Sequence, residues 1–143
     1  MIRDCVVDAS VGIKLFLKED FSEQADRLFD RLAEVPPPRF YVPDLFFVEC
    51  TNVLWKYVRH FGYPAENAHR DVADLQALAL RTISTADLVG PAFELTLDYE
   101  ITAYDACYAV LARLLDLPLV TADLALVRQL QGRQVRVRRL QEL

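Results

Sequence analysis

The chain has 143 residues, just over half of them apolar, enough for one compact domain with its own core and too few for several. Four glycines and the absence of low-complexity runs argue against disorder, and three cysteines without a CxxC pair argue against a disulfide scaffold or a zinc site. The formal net charge of −5 excludes a basic coat that holds nucleic acid unspecifically, but is compatible with an enzyme whose own acidic centre carries much of that charge.

Met1-Ile2-Arg3-Asp4 leads into a strand-like run with no signal-peptide pattern, and no apolar segment is long enough to span a bilayer, so a soluble cytoplasmic protein is expected. Cys5-Val6-Val7 reads as a buried strand ending at Asp8, and Ala9 to Leu17 carries Val11, Leu15 and Phe16 at helical spacing. A second helix is expected from Ser22, as N-cap, to Leu32, with Ala25, Leu28, Phe29 and Leu32 on one face. Pro36-Pro37-Pro38 then forces an extended connection. Phe40-Tyr41-Val42 is a short strand, and Pro43-Asp44 opens a long helix from Leu45 to Arg59. After the breakers Gly62 and Pro64, a helix from Ala65 to Leu80 and a strand Thr82-Ile83-Ser84 follow. Ala86 to Tyr99 is read as helical, interrupted at its start by Gly90-Pro91. Tyr104 to Leu115 is a helix apolar on nearly every face, in which Ala106, Ala109 and Ala112 permit close packing on a sheet. Pro118 to Thr121 is a strand, Leu124 to Leu130 a short helix, and Val135-Arg136-Val137 a last alternating strand. Short strands alternating with helices predict a parallel sheet covered on both faces, in a single domain over residues 1–143.

Four acidic residues stand where the ends of such elements meet. Asp8 and Asp123 follow strands, Glu49 lies in the first turns of the long helix, and Asp105 opens the most apolar helix. In an open α/β sheet these positions face the carboxyl edge, where ligands bind. Taken singly, Asp8 and Asp123 read as N-caps, Asp105 as a charge favoured by the helix dipole, and Glu49 as the head of a solvated stripe with Asn52, Lys56 and Arg59. Together, converging carboxylates repel unless a cation intervenes, and an oxygen-rich pocket suits Mg²⁺ or Mn²⁺. Ser10, Asn52 and Thr121 lie two or three residues from these acids as neutral helpers, each also explicable as a local hydrogen-bonding residue.

These pieces resemble the PIN-domain nucleases, and among them the VapC-type toxins of toxin–antitoxin pairs. The matching stretches are Val7-Asp8-Ala9-Ser10, Val48-Glu49-Cys50-Thr51-Asn52-Val53-Leu54, Ile101-Thr102-Ala103-Tyr104-Asp105-Ala106-Cys107-Tyr108-Ala109 and Leu119-Val120-Thr121-Ala122-Asp123; in family order and spacing, they make a resemblance that covers essentially the whole chain. The resemblance implies a three-layer α/β/α sandwich around a mostly parallel five-stranded sheet. It implies metal binding by Asp8, Glu49, Asp105 and Asp123, with Ser10, Asn52 and Thr121 in support. It further implies hydrolysis of RNA, such as tRNA or ribosomal RNA, a homodimer, and a VapB-type antitoxin in the cleft. Where many relatives carry a basic residue just after the last aspartate, this chain has Leu124-Ala125-Leu126. Arg128, Arg133, Arg136, Arg138 and Arg139 follow, either as phosphate contacts or as a solvated face.

Two rival readings stand beside this one. A catalytically silent PIN-fold module would act by binding alone. A phosphoryl-transfer or receiver domain would need a second acid near Asp8, and Asp8-Ala9-Ser10 lacks it. His60 and His69 read as surface residues, as do Lys14 and Lys18. Phe46, Phe47, Trp55, Tyr57, Val58 and Phe61 give the Leu45 to Leu80 region more apolar surface than a monomer hides, which motivates the homodimer independently.

Overall fold

Five short strands make one sheet in the computed structural model, which describes residues 2–143: β1 (Cys5–Val7), β2 (Phe40–Pro43), β3 (Arg81–Ile83), β4 (Leu119–Thr121) and β5 (Val137–Arg139). Their order is β3-β2-β1-β4-β5 and each pairing is parallel, so the expected mostly parallel sheet is parallel throughout. Strands β1 and β4 are wholly buried, as interior strands covered on both faces must be. The edge strands expose Arg81, Arg138 and Arg139, charges that discourage pairing with another chain.

Seven α-helices connect the strands: α1 (Ala9–Gly12), α2 (Ser22–Asp30), α3 (Leu45–Phe61), α4 (Ala65–Ala77), α5 (Val89–Asp98), α6 (Ala103–Leu115) and α7 (Leu124–Leu130). Right-handed crossovers put α1 to α4 on one face and α5 to α7 on the other, which completes the α/β/α sandwich. Helix α6 is buried from Ala106 to Ala112, its small residues letting it lie against β1, β2 and β4. On the other face α1 packs on α3. A Cβ at Gly12 would stand 2.5 Å from Phe46 Cζ, so only glycine permits this approach.

Several boundaries differ from expectation for local reasons. The first helix gives way after Gly12 to a 3-10 turn, Ile13–Leu15. Ser22 is not an N-cap. Phe21 precedes α2 in a left-handed conformation (φ 69°), and the Ser22 hydroxyl accepts from the Glu19 amide and donates to the Leu17 carbonyl. Helix α3 runs on to Phe61, where Gly62 closes it at φ 70°. Helix α4 stops at Ala77 because Leu78 is extended. Ser84 caps a 3-10 turn instead of ending β3. Gly90-Pro91 does not interrupt α5 but forms its first turn, where a missing N–H costs nothing. The last strand begins at Val137, not Val135, because its ladder with β4 opens at the Leu119–Val137 pair.

The strand order reverses between β1 and β4, so the carboxyl ends of these two strands border the crevice where such sheets bind ligands. Helices α3 and α6 begin at that same edge.

Candidate active site

Asp8 leaves β1 at the cap position of α1, but its side chain caps nothing there. Instead its Oδ2 accepts from the Ser10 hydroxyl (2.6 Å) and the Thr121 hydroxyl (2.8 Å). Each hydroxyl is fixed in turn by a backbone amide just past β4: Ala122 N–H donates to Ser10 Oγ (3.0 Å) and Asp123 N–H to Thr121 Oγ1 (3.1 Å). A hydroxyl has one proton, and both protons go to Asp8, so the 3.2 Å Ser10–Thr121 contact carries none of its own. Asp8 and Thr121 are buried. Burial pushes the Asp8 carboxyl above its ordinary range against the pull of the two hydroxyls, and the charge of Asp123 pushes the same way.

Asp123 does cap a helix: its Oδ1 accepts from Ala125 N–H (2.9 Å) and Leu126 N–H (3.2 Å) at the start of α7. The cap occupies one carboxylate oxygen and fixes the direction of the side chain.

Glu49 and Asp105 are half-buried. The Tyr108 phenol, itself fully buried on α6, donates to Glu49 Oε1 (2.8 Å). Burial raises the Glu49 carboxyl to about 7; the phenol opposes this, and the charges of Asp8 and Asp105 add to it. Asp105 sits in the first turn of α6, where its amide donates to the capping Thr102 hydroxyl (3.1 Å). It is pushed up to about 6, first by burial and then by the charges of Asp8 and Asp123.

The four predicted acids thus act on one another electrostatically around the β1–β4 crevice, and among the described residues none of them is in an ion pair. Among the described residues, however, no three acidic, histidine or cysteine side chains stand close enough to hold a metal ion as placed. The donor set of carboxylate oxygens, in no ion pair among the described residues, is chemically suited to a hard divalent cation.

Of the predicted helpers, Ser10 and Thr121 are in the network and Asn52 is not. Asn52 is exposed and makes no side-chain hydrogen bond among the described residues. His60 and His69 are exposed, and Lys14 is paired with Glu19 (3.1 Å). Two residues of the third matching stretch carried no assigned role in the sequence. Tyr108, a phenol in an apolar run, signals a need for a polar partner, and Thr102 lies three residues before Asp105 in the pattern of a capping residue.

The PIN domain family matches residues 5–129. Over 120 residues the chain is 34% identical to Ribonuclease VapC3 of Pyrobaculum aerophilum, covering 82% of this chain and 88% of that protein. Among solved structures it is similar to PAE2754 from Pyrobaculum aerophilum, with a TM-score of 0.70 and 21% identity over 99% of this chain and 94% of the other. It is also similar to VapBC2 from Rickettsia felis bound to a DNA fragment from their promoter, with a TM-score of 0.67 and 15% identity over 95% and 98%. A toxin-antitoxin complex from Klebsiella pneumoniae gives 0.61 and 19% over 90% and 91%.

Proposed function

The chain belongs to the PIN-domain family, and from that premise we propose that it is a VapC-type endoribonuclease, the toxin of a VapBC pair, with Asp8, Glu49, Asp105 and Asp123 as its metal-binding catalytic carboxylates. The observation that carries this reading is the placement of acids that follow β1 and β4 and stand on α3 and α6 at one sheet edge, with Asp8 fixed by two hydroxyls and none of the four in an ion pair among the described residues.

Mg²⁺ or Mn²⁺, when bound, supplies Lewis acidity, acidifying water and offsetting charge that develops on the phosphoryl oxygens. The chain's part is to hold and orient. Ser10 and Thr121 fix one oxygen of Asp8, α7 fixes one oxygen of Asp123, and Tyr108 fixes one oxygen of Glu49. Asp105 is positioned by the Thr102 cap at the start of α6, whose hydroxyl accepts from its amide and whose hydrogen bonding opposes the upward push of burial on its carboxyl. The raised Glu49 and Asp105 carboxyls hold protons at mildly acidic pH, and metal binding releases them.

The test is calorimetric titration with Mn²⁺ beside cleavage of total cellular RNA. The wild type is expected to bind Mn²⁺ and produce RNA fragments, and Asp105→Asn to do neither at the same concentrations. A protein that binds no divalent ion and leaves RNA intact would instead be a silent PIN-fold module, the reading favoured by the lack of a gathered ligand set among the described residues.

The partner assignment is a VapB-type antitoxin seated over the same crevice, in the cytoplasm. No described helix is long and apolar enough to cross a membrane. A homodimer completes the reading. Phe46 is spent in the core, but Val48, Trp55 and Phe61 of α3 are exposed. Light scattering of the purified chain is expected to give twice the monomer mass.

A further inference from the structure

Five arginines fall between positions 128 and 139, and the fold disperses them. Arg133 lies over the Tyr99 ring, 4.0 Å from its centroid. Arg136 turns to the carbonyl and carboxylate of Asp116. Arg138 lines a groove on the α2 side, with Arg27 and Arg31. Arg128 and Arg139 come together along a different groove, of about 560 Å³, between α7 and β5.

That groove starts one residue along the chain from the acidic crevice. Leu124, the residue after Asp123, is part of its wall, and Val127 and Val137 add apolar surface. Arg139 stands in register beside Thr121, whose hydroxyl is bonded to Asp8. Glu142 also lines the groove and is paired with Arg139, while Arg128 is exposed and in no ion pair among the described residues. The basic rim therefore has one uncommitted cation and one held in reserve by a carboxylate.

A cluster of carboxylates repels a polyanion, and on a chain with net charge −5 the strand being cut needs cations close to the scissile bond. We propose that the α7–β5 groove is the subsite for the single-stranded RNA flanking that bond. Arg128 takes a backbone phosphate, Leu124 and Val127 carry the face of a base, and Arg139 exchanges Glu142 for a second phosphate. The volume is in the range of sites that enclose one small ligand, ~300–1,000 Å³, and so accommodates a nucleotide. An acidic peptide is the competing occupant; RNA is favoured because the groove wall includes Leu124, next to Asp123, and Arg139, in register with Thr121. The assignment rests on the ribonuclease reading above.

The test is anisotropy titration of a short fluorescein-labelled single-stranded RNA of mixed sequence, in Ca²⁺, on an Asp105→Asn background that prevents turnover. Arg128→Glu is expected to weaken binding about tenfold, and Arg128→Gln less, with the slope of log K against log salt falling by roughly 0.7, one phosphate contact on a single strand. Glu142→Gln, which frees Arg139, is expected to tighten binding about threefold. Arg27→Glu, exposed in the other groove, serves as the charge control and leaves affinity unchanged. Melting curves establish that the Arg128 variants fold.

RNA affinity unchanged in both Arg128 variants overturns the subsite. So does the finding that Arg128→Glu abolishes binding of a synthetic Glu- and Leu-rich peptide but not of RNA, which makes the groove a protein-docking site. If the wild type cleaves no RNA in Mn²⁺ yet binds it through Arg128, the nuclease reading fails and the groove assignment stands. If it cleaves and the Arg128 variants bind as the wild type does, the reverse holds.

Discussion

The acidic crevice has two differently made sides. On the β1–β4 side, Asp8 is buried and two hydroxyls anchored by backbone amides fix its position. On the α3–α6 side, Glu49 has one phenol for a partner, and Asp105 has the Thr102 cap beside it. The first side has a defined geometry whether or not a ligand is present. The second is half-exposed and has fewer anchoring bonds, and no three ligands are gathered there among the described residues. The contrast suggests a division of labour: the sheet edge provides a fixed reference oxygen, and the helices close on whatever binds.

Asp8→Asn sharpens this contrast most. Removing the charge of the fixed side is expected to lower RNA cleavage by about 100-fold or more, since the other acids then lack their anchored partner. The same change takes an uncompensated charge out of a buried position, so the variant is expected to melt no lower than the wild type in EDTA. A clear loss of stability on differential scanning would mean that Asp8 is structural.

Thr121→Val probes the other component of that side, the network rather than the charge. The isosteric change removes one donor to Asp8 and the acceptor of the Asp123 amide, both in a buried place. A cost of about 1–3 kcal/mol in urea unfolding is expected. A neutral result would show that the hydroxyl network does not hold the fixed side.

How legible the two sides were in the sequence follows from how they are built. Asp8 and Asp123 could be placed because a residue just past a parallel strand has only one edge to reach, and Ser10 and Thr121 because they sit two residues from those acids. The helical side was legible in position but not in orientation. Helical spacing puts Asn52 one turn from Glu49 on the same face, yet its side chain is exposed and outside the hydrogen-bond network, because burial at that face is set by what packs on it rather than by spacing. Tyr108 was hidden by the opposite error: an aromatic residue in a run of apolar ones looks like core, and that it spans α6 to α3 to reach Glu49 depends on how the two helices lie across the sheet. The shift of the last strand from Val135 to Val137 has the same origin, since register belongs to the partner strand.

Tyr108→Phe breaks the phenol bond on the helical side while keeping the ring. It is expected to weaken Mn²⁺ binding about tenfold by calorimetry, as loss of a partner that orients a metal ligand does. Melting in EDTA should fall by no more than ~1.5 kcal/mol, the worth of one hydrogen bond. A Tyr108 that serves packing alone would leave the affinity for Mn²⁺ intact, and saturating metal would then rescue nothing.

The smallest expected effect is the pH dependence of the metal-free protein, and its sign is the informative part. Glu49 and Asp105 are raised from 4.5 to about 7 and from 3.8 to about 6, so the folded state holds protons that the unfolded state has already released. At pH below the unfolded values both states are protonated and neither group carries a penalty. As pH rises through the window from about 4 to about 7, the folded carboxyls must ionise against burial and one another, and stability falls. Melting temperature in EDTA should therefore drop by a few degrees across that window, discounted for the half-exposure of both groups. Glu49→Gln with Asp105→Asn should flatten the slope, and Mn²⁺ should reverse it in the wild type, because a bound cation favours the ionised carboxylates. A slope that survives the double substitution would place the titration elsewhere in the molecule, and not in the acids of the helical side.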